Sequence, residues 1–241
     1  VATFASLAGK HVTEERVEHL LRDLLREEAG KQVTIDIIQR AVADHFDVRL
    51  ADMTSRRRPA SIAFPRQIAM YLSRTLTKGS LMEIGEAFGG RDHGTVIHAC
   101  KKIVSQIESD ASTRDAIGVI EHIVRQRMEQ GQLRDSVARL LAGAYGFEQR
   151  RAITSSEAGW SPQVWLRLSE LGVTGLRIAE DSGGFGGSAG DLLPVLQEFG
   201  KALLVEPFLA SAVLGATAIA QAADAQNRQS LLPKVASGEL V

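Results

Sequence analysis

Apolar residues recur along this chain at three- and four-residue steps, the spacing that places them on one face of a helix. Near the start, Thr13 is a candidate N-cap, and Val17, Leu20, Leu21, Leu24 and Leu25 form an apolar stripe behind it, so the spacing predicts a helix within residues 1–30. Thr34 is placed to cap a second helix, with Ile35, Ile38, Val42 and Phe46 inside, and a short helix is expected at Leu50 to Thr54. Pro65 then suits a first helical position, where its missing N–H would be unsatisfied anyway. Behind it Ile68, Leu72 and Leu76 face inward, together with Ala69 and Tyr71.

Ser80 is expected to cap a short helix packed through Leu81, Ile84, Ala87 and Phe88. Gly89 and Gly90 supply a turn that calls for positive φ, and Asp92 stands where a carboxylate satisfies the free N–H groups of the next helix. That helix packs through Val96, Cys100, Ile103 and Ile107, with Ile97 and Val104 beside them. A last helix of this half is predicted over 111–127, with Ser112 or Thr113 as cap and Ile117, Ile120, Ile123 and Val124 inside. Short helix, glycine turn, polar-faced helix is a helix-turn-helix pattern.

At Met128 the character changes without a flexible linker. Leu133, Val137, Leu140 and Leu141 predict one helix, and Trp165, Leu168 and Leu171 another that starts with Ser161 as cap and Pro162 at its first position. Apolar helices are expected near 192–201 and 208–223, and a shorter one over 225–236. The glycines 183, 184, 186 and 187 read as a turn, because GGFGG does not fit the dinucleotide spacing GxGxxG. Glu180, Asp181, Glu198 and Glu206 read as caps and solvated groups. The expected fold is all-α: a helix-turn-helix domain followed by a second all-helical domain.

Charge divides the chain the same way. The formal net charge is −1, yet residues 49–102 carry ten Lys and Arg against four Asp and Glu, and residues 128–241 carry nine against twelve. All six histidines fall in the first half and both tryptophans in the second. A basic first half points to a polyanion as partner. Within it, Arg56, Arg57 and Arg58 end at Pro59, which biases Arg58 toward an extended conformation. An extended arginine run suits a minor groove; it also fits a solvated charge run. Arg66 and Gln67 are residue types that bond guanine and adenine in a major groove, with phosphate contact or no contact as alternatives. Arg91, His93, Gly94, Thr95, His98, Lys101 and Lys102 are left on the exposed side or amino end of the helix after the turn, as in a recognition helix or an ordinary amphipathic helix with a basic face.

The single cysteine, Cys100, excludes an internal disulfide and reads as a small buried hydrophobe. No GxxxxGK[ST] loop occurs, so nucleotide hydrolysis is not expected. The chain opens without an export signal and has no apolar run long enough to span a membrane, which makes the cytoplasm, in association with the nucleoid, the expected compartment.

The run IGEAFGGRDHGTVIHACKK, residues 84–102, resembles the DNA-binding domain of the bacterial replication initiator family DnaA, in which FGxRDHxTVxHA opens the recognition helix. VATFASLAGKHVTEERVEHLLRDLL resembles the closing helix of that family's ATPase lid. The resemblance implies three parts: residues 1–30 the end of the lid, residues 31–127 the DNA-binding domain, and double-stranded DNA carrying DnaA boxes at a replication origin as partner. It assigns Arg58, after Arg56 and Arg57, to the minor groove. Arg66, Gln67, Asp92, His93 and Thr95 go to base or adjacent phosphate contacts, and Arg74 and Lys102 to the backbone. Gly94 stands where the family usually has a hydroxyl residue, which removes a methyl contact to thymine and implies relaxed specificity at one base pair.

Residues 128–241, through LRDSVARLL, WLRLSELGVTGL, EDSGGFGG and EFGKALLVEPFLAS, resemble the amino-terminal helical domain of acyl-CoA dehydrogenases. That family's flavin-contacting β-domain and its catalytic glutamate would lie beyond Val241, and nearly all of the initiator's ATPase module would precede Val1. The expectation is therefore a fusion of two families and no enzyme, with neither the ATP nor the FAD site complete. Self-association stays open, because initiator assembly depends on the ATPase module. The alternative is an acyl-CoA dehydrogenase-related, flavin-dependent protein in which the first half is a passenger.

Overall fold

The computed structural model of the chain describes residues 32–57 and 59–241. The lid helix expected within residues 1–30, and the minor-groove role expected of Arg58, lie outside the described residues. Among those described there are helices and turns and no strand, as the stripes predict. The fold divides into two compact units, Val1–Glu129 and Gln130–Val241.

In the first unit α1 (Ile35–His45) begins where the Thr34 hydroxyl accepts the Ile37 N–H at 3.3 Å. It is followed by α2 (Leu50–Thr54), α3 (Ala60–Leu76), α4 (Leu81–Ala87) and α5 (His93–Ser109). Ile38, Val42, Met53, Ile68, Leu72, Ile84, Phe88, Val96, Ile103 and Ile120 are fully buried in one core. Polar order reaches inside too: Gln39 Nε2 donates to the Ala87 carbonyl at 2.8 Å and ties α1 to the end of α4.

Three boundaries differ from the pattern, one of them the end of the helix expected over 111–127, which runs on without a break to Ala144. α3 starts at Ala60 and carries Pro65 inside. The proline withholds only the N–H that would reach the Ser61 carbonyl, and the turn before it seats Phe64 edge-on against Phe46, with ring centroids 5.9 Å apart. The helix over Ala111–Ala144, α6, is capped by Asp110 rather than by Ser112 or Thr113. The Asp110 carboxylate accepts the N–H groups of both residues at 3.1 Å. Val104, expected inside, is 45% exposed, and Ala99 takes the inner position instead.

In the second unit the end of α6 packs with α7 (Phe147–Thr154), α8 (Pro162–Glu170) and α9 (Ala189–Ala202) around Val137, Leu141, Trp165, Leu168, Val195 and Phe199. Ser161 caps α8 through its hydroxyl, as expected, whereas α7 was not marked by any apolar stripe. A π-helical segment, Leu209–Gly215, leads into α10 (Ala216–Ala222), and α11 (Ala225–Ala236) closes a smaller cluster with Ile178, Leu232 and Val235. The glycine cluster is a turn. Gly183 and Gly186 have φ of 81° and 63°, and the N–H groups of Gly184, Phe185, Gly186 and Gly187 are donated to the carbonyls of Ala179, Gly175, Ile178 and Leu176. Glu206 departs from its expected solvated place: it is buried, accepting the Tyr145 hydroxyl at 2.6 Å and the Ser161 N–H at 3.4 Å.

Candidate nucleic-acid interface

The site is built on α4, α5 and the segment between α2 and α3. Ser80 and Glu83 close a reciprocal capping box that fixes the start of α4. The turn after it depends on glycine twice over. Gly89 has φ of 87°, and a Cβ there would meet the Thr54 carbonyl oxygen at 2.2 Å, so the turn backbone rests against the end of α2. Only a residue without a side chain fits.

Asp92 then starts α5. Its carboxylate accepts the Thr95 N–H at 2.9 Å and the Thr95 hydroxyl at 3.0 Å, and these bonds hold the exposed carboxyl below its usual range. Along α5 the residues Val96, Ala99 and Ile103 are buried. Gly94, His98, Lys101 and Ser105 are exposed and recur at four, three and four residue steps, and the exposed Lys102 lies four residues after His98, so they share one outer face. His93 is exposed beside them at the amino end. A Cβ at Gly94 would meet only Asp92 Oδ1, at 2.9 Å, which leaves the start of this face bare. Cys100 is half-buried under the helix, and burial pushes its thiol up, away from the reactive thiolate form.

Arg56 and Arg57 are exposed on the segment before α3, and Arg74 is exposed near its end, where Nη1 donates to the Gly79 carbonyl at 3.3 Å. Gln67 is half-buried and its amide oxygen makes no hydrogen bond. The structure thus places Arg74, Asp92, His93, Gly94 and Lys102 at the surface and Thr95 half-buried behind Asp92.

Arg66 is different. It is only 4% exposed, and its guanidinium donates to the Met53 carbonyl at 3.0 Å, to the Arg57 carbonyl at 3.1 Å, to the Ser55 hydroxyl at 3.2 Å and to the Asp52 carbonyl. Burial, and after it the neighbouring Arg91, lower its pKa, with Asp52 acting in the opposite sense. Arg91, half-buried, carries contacts that no sequence signal announced. Its Nη2 donates to the Ser55 carbonyl at 2.8 Å and its Nε to the Phe88 carbonyl at 3.2 Å. His98 and Lys101 join the outer face and were legible in the spacing, although the family resemblance assigned them no contact.

Among the described residues no group of three or more His, Cys, Asp and Glu gathers as metal ligands, and no helix is long and apolar enough to cross a membrane. The arrangement defines a helix-turn-helix unit with an exposed basic face, followed by a second helical unit. Residues 35–103 match the family model for the bacterial dnaA protein helix-turn-helix. Residues 127–239 match the model for the acyl-CoA dehydrogenase amino-terminal domain. The two matches bear out the resemblances of the helix-turn-helix region and of the second half, the lid resemblance of residues 1–30 lying outside them, and the first points to double-stranded DNA as a partner of the first unit.

Proposed function

We propose that the first half of the chain binds double-stranded DNA sequence-specifically, recognising a DnaA-box-like site of the kind found at a replication origin. The observation that carries this reading is the outer face of α5, where Gly94, His98, Lys101 and Lys102 lie together above a buried apolar face and begin at a capped, exposed amino end. Such a helix fits a major groove, its first residues against base edges and its later lysines against phosphates. In this reading His93 and Thr95 contact bases, Asp92 holds Thr95 in position and accepts from an adjacent base, and Gln67 reaches the same groove from α3. The segment bearing Arg56 to Arg58 enters the neighbouring minor groove, where arginine senses width and potential. Gly94 leaves one base pair without a side-chain contact, so discrimination there is weaker than a threonine would give.

Nothing in this role is catalytic: binding combines groove insertion with phosphate neutralisation. Affinity for duplex DNA is expected to fall steeply as salt rises, because each neutralised phosphate releases counterions. Lys102→Ala should weaken all duplexes alike and reduce the salt slope by about one. Fluorescence anisotropy across a salt series measures both. An affinity that ignores salt would contradict the proposal.

A second reading rests on the match over residues 127–239: an acyl-CoA dehydrogenase-related protein whose second unit defines its activity. It predicts yellow protein, or protein that retains added FAD through gel filtration. A chain that stays colourless after incubation with FAD would remove it.

A further inference from the structure

The segment from Asp52 to Arg57, which carries the exposed Arg56 and Arg57, is gripped from two sides. From α3, the buried Arg66 donates to backbone carbonyls of Asp52, Met53 and Arg57 and to the Ser55 hydroxyl. From the helix-turn-helix turn, Arg91 donates to the Ser55 carbonyl at 2.8 Å while its other edge donates to Phe88 at 3.2 Å. The guanidinium of Arg91 therefore spans the turn and the basic segment. Between them the Gly89 backbone lies so close to Thr54 that no Cβ fits.

Two like charges held near one another cost free energy. The carboxylate beside them, Asp52, is itself bound at both oxygens by Arg49, at 3.1 and 3.3 Å. What the arginines supply is a planar fork that bonds several carbonyls at fixed angles, which a lysine does not. The consequence is a fixed spacing between the backbone that presents Arg56 and Arg57 and the residue that immediately precedes the Asp92 cap of α5.

We propose that Arg66 and Arg91 form a clamp that sets the register between the basic segment and the recognition helix, so that both enter adjacent grooves of one duplex without a further ordering cost. They are positioning residues, and Arg66 reads no base. The proposal rests on the DNA-binding reading above. Pre-organising two contact elements raises the affinity of their joint engagement without adding a contact. A base contact from Arg66 would instead require a buried guanidinium to give up its bonds to the loop.

The test uses the whole chain and a box-containing duplex, with hydroxyl-radical cleavage reporting the minor groove and dimethyl sulfate the guanines of the major groove. Arg91→Gln is expected to weaken binding about tenfold, the scale of lost charge-assisted bonds. It should erase the minor-groove protection and leave the major-groove protection in place. Arg56→Ala with Arg57→Ala should erase the same protection in the parent protein and add little in the Arg91→Gln background, a non-additivity that general loss of stability does not produce. If Arg91→Gln fails to fold by circular dichroism, Arg91→Lys, which keeps the charge and loses the fork, is read in the same way. Retention of both protections, their loss in equal measure, or simple additivity would overturn the clamp. A parent protein that protects neither groove of any duplex would overturn the DNA-binding reading itself.

Discussion

Gly85→Ala is expected to destabilise the helix-turn-helix unit, although alanine is the better helix former. Gly85 lies buried inside α4, and a Cβ built there would stand 2.0 Å from the Arg91 carbonyl oxygen and 3.1 Å from its carbon. The intrinsic gain of alanine over glycine in a helix is ~1 kcal/mol. Overpacking against a backbone, which no rotamer change relieves, costs about 3 kcal/mol or more. The clash wins, by about 2 kcal/mol, and the melting temperature of a unit this size should fall by about 10 °C. Because the displaced backbone is that of Arg91, duplex binding should also drop. Gly118→Ala provides the contrast: it is helical, exposed, and has nothing within 4 Å of a new Cβ, so it should raise stability by up to ~1 kcal/mol. Scanning calorimetry of both variants decides the matter, and an unchanged transition for Gly85→Ala would contradict the geometry.

In the second unit the largest effect is expected from a single oxygen. The buried Tyr145 hydroxyl donates to Glu206 at 2.6 Å and accepts the Val205 N–H at 2.9 Å. Burial, and after it the bond to Glu206, hold the phenol above the usual tyrosine value. A raised folded-state pKa means that the contribution is intact below the ordinary tyrosine value of about 10 and is lost as pH rises beyond it. Tyr145→Phe leaves a buried carboxylate oxygen and the Val205 N–H without their partner, at a cost of about 3 kcal/mol. Tyr145→Phe with Glu206→Leu should cost less than the two single changes added together, because no charge is left stranded. Both tryptophans of the chain, Trp160 and Trp165, belong to this unit, and Trp165 Nε1 donates to the Gly238 carbonyl at 3.0 Å. Their fluorescence during denaturant unfolding reports the unit directly. A Tyr145→Phe midpoint equal to that of the parent would show that the network contributes nothing.

Much of the fold was legible because its signals are local. Thr34, Ser80, Asp92 and Ser161 cap the helices they were expected to cap, since a side-chain oxygen and an N–H three residues on need no distant partner. The stripes of α1, α4 and α5 located the first core for the same reason. What the sequence hid depends on residues far apart in the chain. Pro65 reads as a helix start until Phe64 is seen against Phe46, and Glu206 reads as solvated until Tyr145 arrives from 61 residues away. Arg66 reads as a base or phosphate contact because nothing nearby in sequence reveals that the carbonyls of Asp52, Met53 and Arg57 converge on it. Arg91 gave no sign of its contact with Ser55, 36 residues earlier. The outer face of α5, by contrast, follows from helical spacing alone, and so the proposed interface was clearer in the sequence than the arginine contacts behind it.

Titration of the purified chain with two labelled duplexes of equal length and composition, one carrying a DnaA box and one scrambled, is the decisive measurement of sequence-specific DNA binding. Sequence-specific recognition predicts binding to the box at least about tenfold tighter at physiological salt, the scale of one or two base contacts. Equal affinity for the two duplexes would contradict it.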